Sequence, residues 1–206
     1  MTIVLRGGML PSGDTMTDPM GMSTMWSRVP WTEARQILTV LDGEDAEALT
    51  PAPQDPQRYF DGLVANGALE RAVSYLGAAL PRLEAVHWSW DALHNPEEAV
   101  DNDWQARVRE AIALWLENPV DGRRRTVWSI ATESDQGCPE KLLAGAIFFS
   151  GGSIAPVGVS LVPPPAAVCG KLAACAVIAA AHATGRPEPM LRTAIANGNR
   201  IAETGL

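Results

Sequence analysis

Proline placement constrains this chain more than any other feature. Pro56, Pro81, Pro96, Pro119, Pro139 and Pro187 all stand at the edges of apolar-periodic stretches. Each lacks a backbone donor and restricts the residue before it, so a helix starts or stops there. Asp55-Pro56 has the favoured order of an N-cap residue followed by proline in the first turn. Between the breaks the apolar residues recur at the 3.6-residue period and not in strand-like alternation. The spacing therefore predicts an all-α fold: a single-domain bundle of about eight or nine helices, with antiparallel helical hairpins and a Pro/Gly-rich connector.

The predicted helices follow in order. A short one runs from Trp31 or Thr32 to Leu41, with Ala34, Ile37, Leu38 and Leu41 on one face and Gly43 just beyond. The stretch 49–53 is a loop. Tyr59, Phe60, Leu63 and Val64 form the next stripe, ended by Asn66-Gly67. Leu69, Ala72, Val73, Leu76 and Leu80 form another. Ala65 to Ala72 has a tetratricopeptide-like look, but no second copy occurs at a fixed period, which argues against a repeat array. Later helices are expected at Glu97 to Leu116, over 121–134, from Pro139 to Phe149, from Ala166 to Ala183 and from Met190 to Ala202.

The helix entered through Pro81 is apolar around most of its circumference. Leu83, Val86, Trp90 and Leu93 share one flank, and Ala85, Trp88 and Ala92 the other. Such a helix belongs inside the bundle, with neighbours on two sides. Ala166 to Ala183 is the most apolar segment and carries Lys171 as its only full charge. It is at the lower limit of a membrane span, alanine contributes little to insertion, and the lysine opposes it. It reads as a buried central helix, and membrane insertion is not expected.

At 206 residues the chain suits one domain able to bury roughly 70% of its unfolded surface. Its net charge is −8, which argues against a broad nucleic-acid footprint. Arg123-Arg124-Arg125 is the one dense basic run and reads as the solvated first turn of a helix. Cys138, Cys169 and Cys175 form no CxxC pair, so zinc-ribbon spacing is absent. Cys169 and Cys175 sit among Ala and Val and read as small apolar residues. The odd count fits a reducing compartment, and no secretory signal opens the chain, so a cytoplasmic location is expected.

Residues 1–30 form a region apart, followed by the helical domain over 31–206. They hold six of the seven methionines: Met1, Met9, Met16, Met20, Met22 and Met25. The stretch reads as a flexible Met/Gly-rich leader or as upstream sequence from a misassigned start. A second reading is a short partner-binding peptide centred on Met20 to Trp26.

Chemistry-bearing residues are sparse. Glu84, His87, Asp91 and His94 share one stripe, and a Glu-x-x-His element occurs in di-iron bundles. Those sites need a second such element and further glutamates; His182 has Ala179 three residues before it. Glu84, His87 and Asp91 thus remain candidate metal ligands in an incomplete set, and the simpler reading is the wet edge of a buried helix. Cys175 and His182 stand two turns apart, roughly 10 Å along a helix, too far for proton transfer; both read as facing the interior or its rim. Phe149 to Ser153 lacks the Gly-Lys-Ser/Thr ending of a phosphate loop. Trp88, Trp104, Trp115 and Trp128 sit at core spacing. No catalytic residue and no cofactor is assigned.

Gly151 to Pro165 is an apolar connector expected to lie extended over the bundle, covering part of the core. It leads to the favoured reading: a non-enzymatic cytoplasmic adaptor or accessory protein that binds another protein through an apolar groove. The connector and the 81–93 helix would border that groove, with Ile154, Val157, Val159 and Leu161 as partner-binding positions. The alternatives are an immunity protein neutralising a secreted effector, and a metal-binding bundle or enzyme using Glu84, His87 and Asp91.

Several stretches together resemble a family of uncharacterised bacterial helical proteins associated with type VI secretion gene clusters. They are Tyr59 to Ala65, Ala72 to Ala79, Leu80 to Trp88, Trp115 with Asn118-Pro119, Phe148 to Pro156, and Pro163 to Pro165 before the apolar helix. The likeness spans roughly residues 31–203. His87 departs from it, since the family more often has a large aromatic residue there. The resemblance implies no activity or catalytic residues; it implies an accessory role in a secretion apparatus, with an apparatus component or effector as partner.

Overall fold

A computed structural model describes residues 25–43, 53–94 and 102–206 of the chain. Among the described residues there are nine helices and no strand. They are α1 (Ala34–Asp42), α2 (Pro56–Ala65), α3 (Leu69–Ala79), α4 (Arg82–Leu93), α5 (Asp103–Glu117), α6 (Asp121–Ala131), α7 (Pro139–Phe148), α8 (Val168–Ala183) and α9 (Pro187–Thr204). They pack as one all-α bundle.

The bundle is built around α8, against which α3, α4, α7 and α9 pack. Small residues make this possible. A Cβ built on Gly170 would stand 2.1 Å from the Gly77 carbonyl oxygen, so the α3 and α8 backbones touch. Where α9 crosses α3 and α4, a Cβ on Gly198 would stand 2.2 Å from Leu76 Cδ2 and 2.7 Å from Trp88 Nε1. Two buried polar groups of α4 are matched to backbone carbonyls of the facing helices: Ser89 Oγ donates to Ala173 O at 3.0 Å, and Trp88 Nε1 donates to Ala194 O at 2.8 Å. Those bonds offset the cost of burying a hydroxyl and an indole N–H.

The outer helices form two wings. α1 and α2 pack on α3, while α5 and α6 pack on α7 and each other. Glu140 of α7 is buried between the wing and the centre. Burial alone would raise its pKa, but its own backbone N–H, Arg109 and Gln105 all bond the carboxylate and hold it below the ordinary value. Arg109 Nε and Gln105 Nε2 each approach it to 2.8 Å.

Helix ends follow local chemistry. Asp55 Oδ1 accepts from the Arg58 N–H at 3.0 Å ahead of Pro56. α1 starts at Ala34 and not at Trp31 or Thr32, because Gln36 Oε1 accepts from the Thr32 and Glu33 N–H groups and closes a capping box. The described part of α5 starts at Asp103, capped by Asn102, whose side chain accepts from Gln105 N; residues 97–101 of the expected helix lie outside the described residues. α8 begins at Val168 and α6 ends at Ala131, both inside their expected bounds. α9 begins earlier, at Pro187, since prolines in a first turn cost no intrahelical bond.

The face of α4 differs from its sequence reading. Ala85, Val86, Trp88, Ser89 and Leu93 are buried, whereas Leu83 is 40% exposed and Trp90 half-buried. Ser89 is buried against α8, where its hydroxyl meets Ala173 O.

Trp26 to Val29, which the sequence reading put in the leader, lie on the bundle as a strap. The Trp26 ring packs on Phe60 and Tyr75, its Nε1 donates to Asn199 Oδ1 at 2.7 Å, and Arg28 N donates to Ala202 O at 3.0 Å. Residues 1–24, including most of the candidate peptide, lie outside the described residues.

Candidate functional site: an arginine-clamped apolar loop

The connector between α7 and α8 forms a closed loop over residues 153–162. Ile154 N donates to Val162 O at 2.9 Å, and Ser153 Oγ accepts from Ala155 N at 3.2 Å and Val162 N at 3.1 Å. At the far end Val159 N donates to Pro156 O at 3.3 Å, with Gly158 at φ +86 between them. The ends meet and the span is compact, as in an Ω-loop.

What fixes the loop comes from the start of α6. Arg124 donates from Nη2 to Ser153 O at 2.8 Å and from Nη1 to Phe148 O. Arg125 donates to Ser153 O at 2.8 Å and to Ala155 O at 3.0 Å. Asp121 ties the two together, one oxygen accepting from Arg124 at 2.6 Å and the other from Arg125 at 2.9 Å. These hydrogen bonds hold the Asp121 carboxyl below its ordinary pKa, although it is 55% exposed. The Arg124 guanidinium also lies 4.9 Å from the Phe148 ring centre, and Phe148 stacks on Trp128. Gly152 completes the clamp: it adopts φ +65, and a Cβ there would come within 2.7 Å of Asp121 Oδ1.

The run Arg123-Arg124-Arg125 is therefore not a solvated turn. Arg124 is buried and Arg125 half-buried against the connector. Arg123 points the other way, half-buried and bonded to Leu114 O. The run could not be read as a clamp from sequence because its acceptors are carbonyls 24 to 30 residues away. The neighbouring Asp121, three and four residues before its arginine partners, was the local signal.

Within the clamped loop, Val157 is 85% exposed, Leu161 84%, Val159 60% and Val162 45%. Ile154 is half-buried and Ala155 buried, so one end of the loop is rooted while the rest projects. Val157, Val159, Leu161 and Val162 thus form an exposed crest. The hollow nearest the start of α4, about 200 Å³, lies between Pro81, Arg82, Ala166, Ala167 and Gly170, with Trp31 on its other side. None of Ile154, Val157, Val159 and Leu161 lines it.

The other sequence candidates are scattered. Glu84 and His87 are half-buried, Asp91 is exposed, and His94 stacks on Trp90 at 4.7 Å. Among the described residues no group of three or more His, Cys, Asp and Glu side chains is placed to hold a metal ion. Cys175 and His182, expected to face the interior or its rim, are both exposed, with His182 Nε2 2.8 Å from Glu70 Oε1. Cys169 is buried, its pKa pushed up to about 12 by desolvation, which leaves it a thiol. Among the tryptophans expected in the core, Trp88 and Trp115 are buried, while Trp104 and Trp128 are half-buried. No helix among the described residues is long and apolar enough to cross a membrane.

Fold and surface together define an all-α bundle that presents an ordered apolar loop. The chain belongs to a family of unknown function (DUF6931), whose model matches residues 59–202. The match runs from α2 to α9 and includes the clamp and the loop; the Trp26 strap lies outside it. No curated protein and no solved structure matches the chain.

Proposed function

We propose that the chain is a non-enzymatic adaptor or accessory protein that binds another protein through the 153–162 loop. The observation that carries this reading is the pairing of strong exposure with order: Val157, Val159, Leu161 and Val162 project from a backbone held by Arg124 and Arg125. Burying a side chain of this size is worth about 1.5–3 kcal/mol. A preformed loop also loses little entropy on binding. The partner then supplies the pocket and this chain supplies the inserted crest, the reverse of the groove inferred from sequence. The resemblance to proteins of type VI secretion clusters suggests where to seek that partner, among apparatus components and their effectors.

The test is a cross-linked affinity capture in the native host, comparing wild type with Val157→Asp/Leu161→Asp. A stoichiometric partner should be captured by wild type and lost from the variant, with the circular dichroism of the variant unchanged. Equal recovery by both proteins would contradict the reading.

A further inference from the structure

A second concave surface lies apart from the loop, between α6, α7 and α8. It is a hollow of about 560 Å³, within the range of about 300–1,000 Å³ usual for small-molecule sites. Its shape follows from its residues. Gly145 of α7 and Ala179 of α8 contribute almost no bulk, so space opens between walls made by Trp128, Leu142 and Leu172. A Cβ added to Gly145 would already stand 3.1 Å from Leu172 Cδ1. The three walls are half-buried and apolar.

The hollow has one charged lining residue. Lys141 lines it and donates one N–H to Ser134 O at 2.5 Å. No described carboxylate pairs with this ammonium. The adjacent Glu140 is committed to Arg109 and Gln105 and does not neutralise it. A partly desolvated cation without a counter-ion among the described residues, beside an apolar hollow in a chain of net charge −8, favours an anion at that point.

We propose that this hollow binds a small amphiphilic carboxylate, its aliphatic body held between Trp128, Leu142 and Leu172 and its charge met by Lys141. The site is separate from the connector crest and does not depend on it.

The test titrates decanoate, decanol and decyltrimethylammonium into the full chain, read by amide and methyl NMR. Decanoate should give saturable one-to-one shifts at Leu142, Gly145 and Leu172, with decanol weaker and the cation weaker still. Lys141→Met, which keeps the aliphatic stem, should lower decanoate affinity about tenfold. Ala179→Phe should abolish the saturable shifts. If that variant does not fold, Ala183→Trp at the exposed rim fills the same space. The proposal is overturned by shifts that never saturate, by shifts mapping elsewhere, or by equal affinity for the cation. It is also overturned if these residues mark a concentration-dependent dimer contact that decanoate does not compete with.

Discussion

At the crossing of α3 and α8, two backbones touch because Gly77 and Gly170 have no side chain to hold them apart. At the connector, long side chains from α6 reach across to hold a backbone that has no helix of its own. The crossing is stabilised by dispersion and apolar burial, and its tolerance for added volume is close to zero. The connector is stabilised by charge-assisted hydrogen bonds to carbonyls, which fix the main chain without covering the side chains. One arrangement hides apolar surface and the other displays it. Two kinds of glycine follow from this: Gly170 is required by contact between helices, Gly152 by its φ of +65 and the Asp121 oxygen beside it.

Substitution can break each half of the comparison. Gly170→Val should cause the largest loss, at least about 3 kcal/mol, since backbone and not a flexible side chain stands in the way. Urea unfolding would show it, and the loss should leave little native α8. Arg124→Met comes next, at about 2–3 kcal/mol, because it takes the Arg124 donor from Phe148 O and leaves Ser153 O with Arg125 alone. Its mark is regional: connector amides should lose protection while α8 amides keep theirs.

Acid should loosen the clamp selectively. Asp121 has a lowered folded pKa, so its contribution is fully present above the unfolded value near pH ~4. It is lost as pH falls through the lowered value. The exposure of the carboxylate keeps the effect under about 1 kcal/mol. A stability profile between pH 5 and 2 should show it, and Asp121→Asn should flatten that part of the profile. Val157→Ser and Leu161→Ser should change stability least, within about 0.5 kcal/mol, because neither side chain is packed. A thermal melt that fell well beyond this would place them in the core after all.

Much of the fold was legible because its signals are local. Pro56, Pro81 and Pro139 at helix starts, the Asp55 cap and the alanine-rich run of α8 each act within a few residues and mark elements where they were expected, whereas Pro187 opens α9 ahead of the expected Met190. The nature of α8 as a central helix follows from the same logic, since a segment with Lys171 as its only full charge needs neighbours on most sides. What escaped is set by distant partners. Leu83 is exposed while Ser89 is buried with its hydroxyl on Ala173 O of α8, and helical periodicity carries no sign of that distant acceptor. Trp26 is one aromatic in a stretch without periodicity, yet Phe60, Tyr75 and Asn199 fix it from three other helices. Arg124 looks like any surface arginine until its acceptors, far along the chain, are known. At the candidate site, sequence picked out the apolar residues of the connector but gave their direction as groove-lining, because only the clamp shows that the loop turns them outward.

The most direct measurement is amide hydrogen exchange at Ile154 and Val162 in wild type and in Arg124→Met/Arg125→Met. Both amides are bonded inside the loop, so wild type should protect them against exchange although the side chains around them are exposed. The double variant should lose that protection, with α8 amides unchanged. Exchange at unstructured-chain rates in wild type, or equal protection in the variant, would contradict an arginine-clamped display loop.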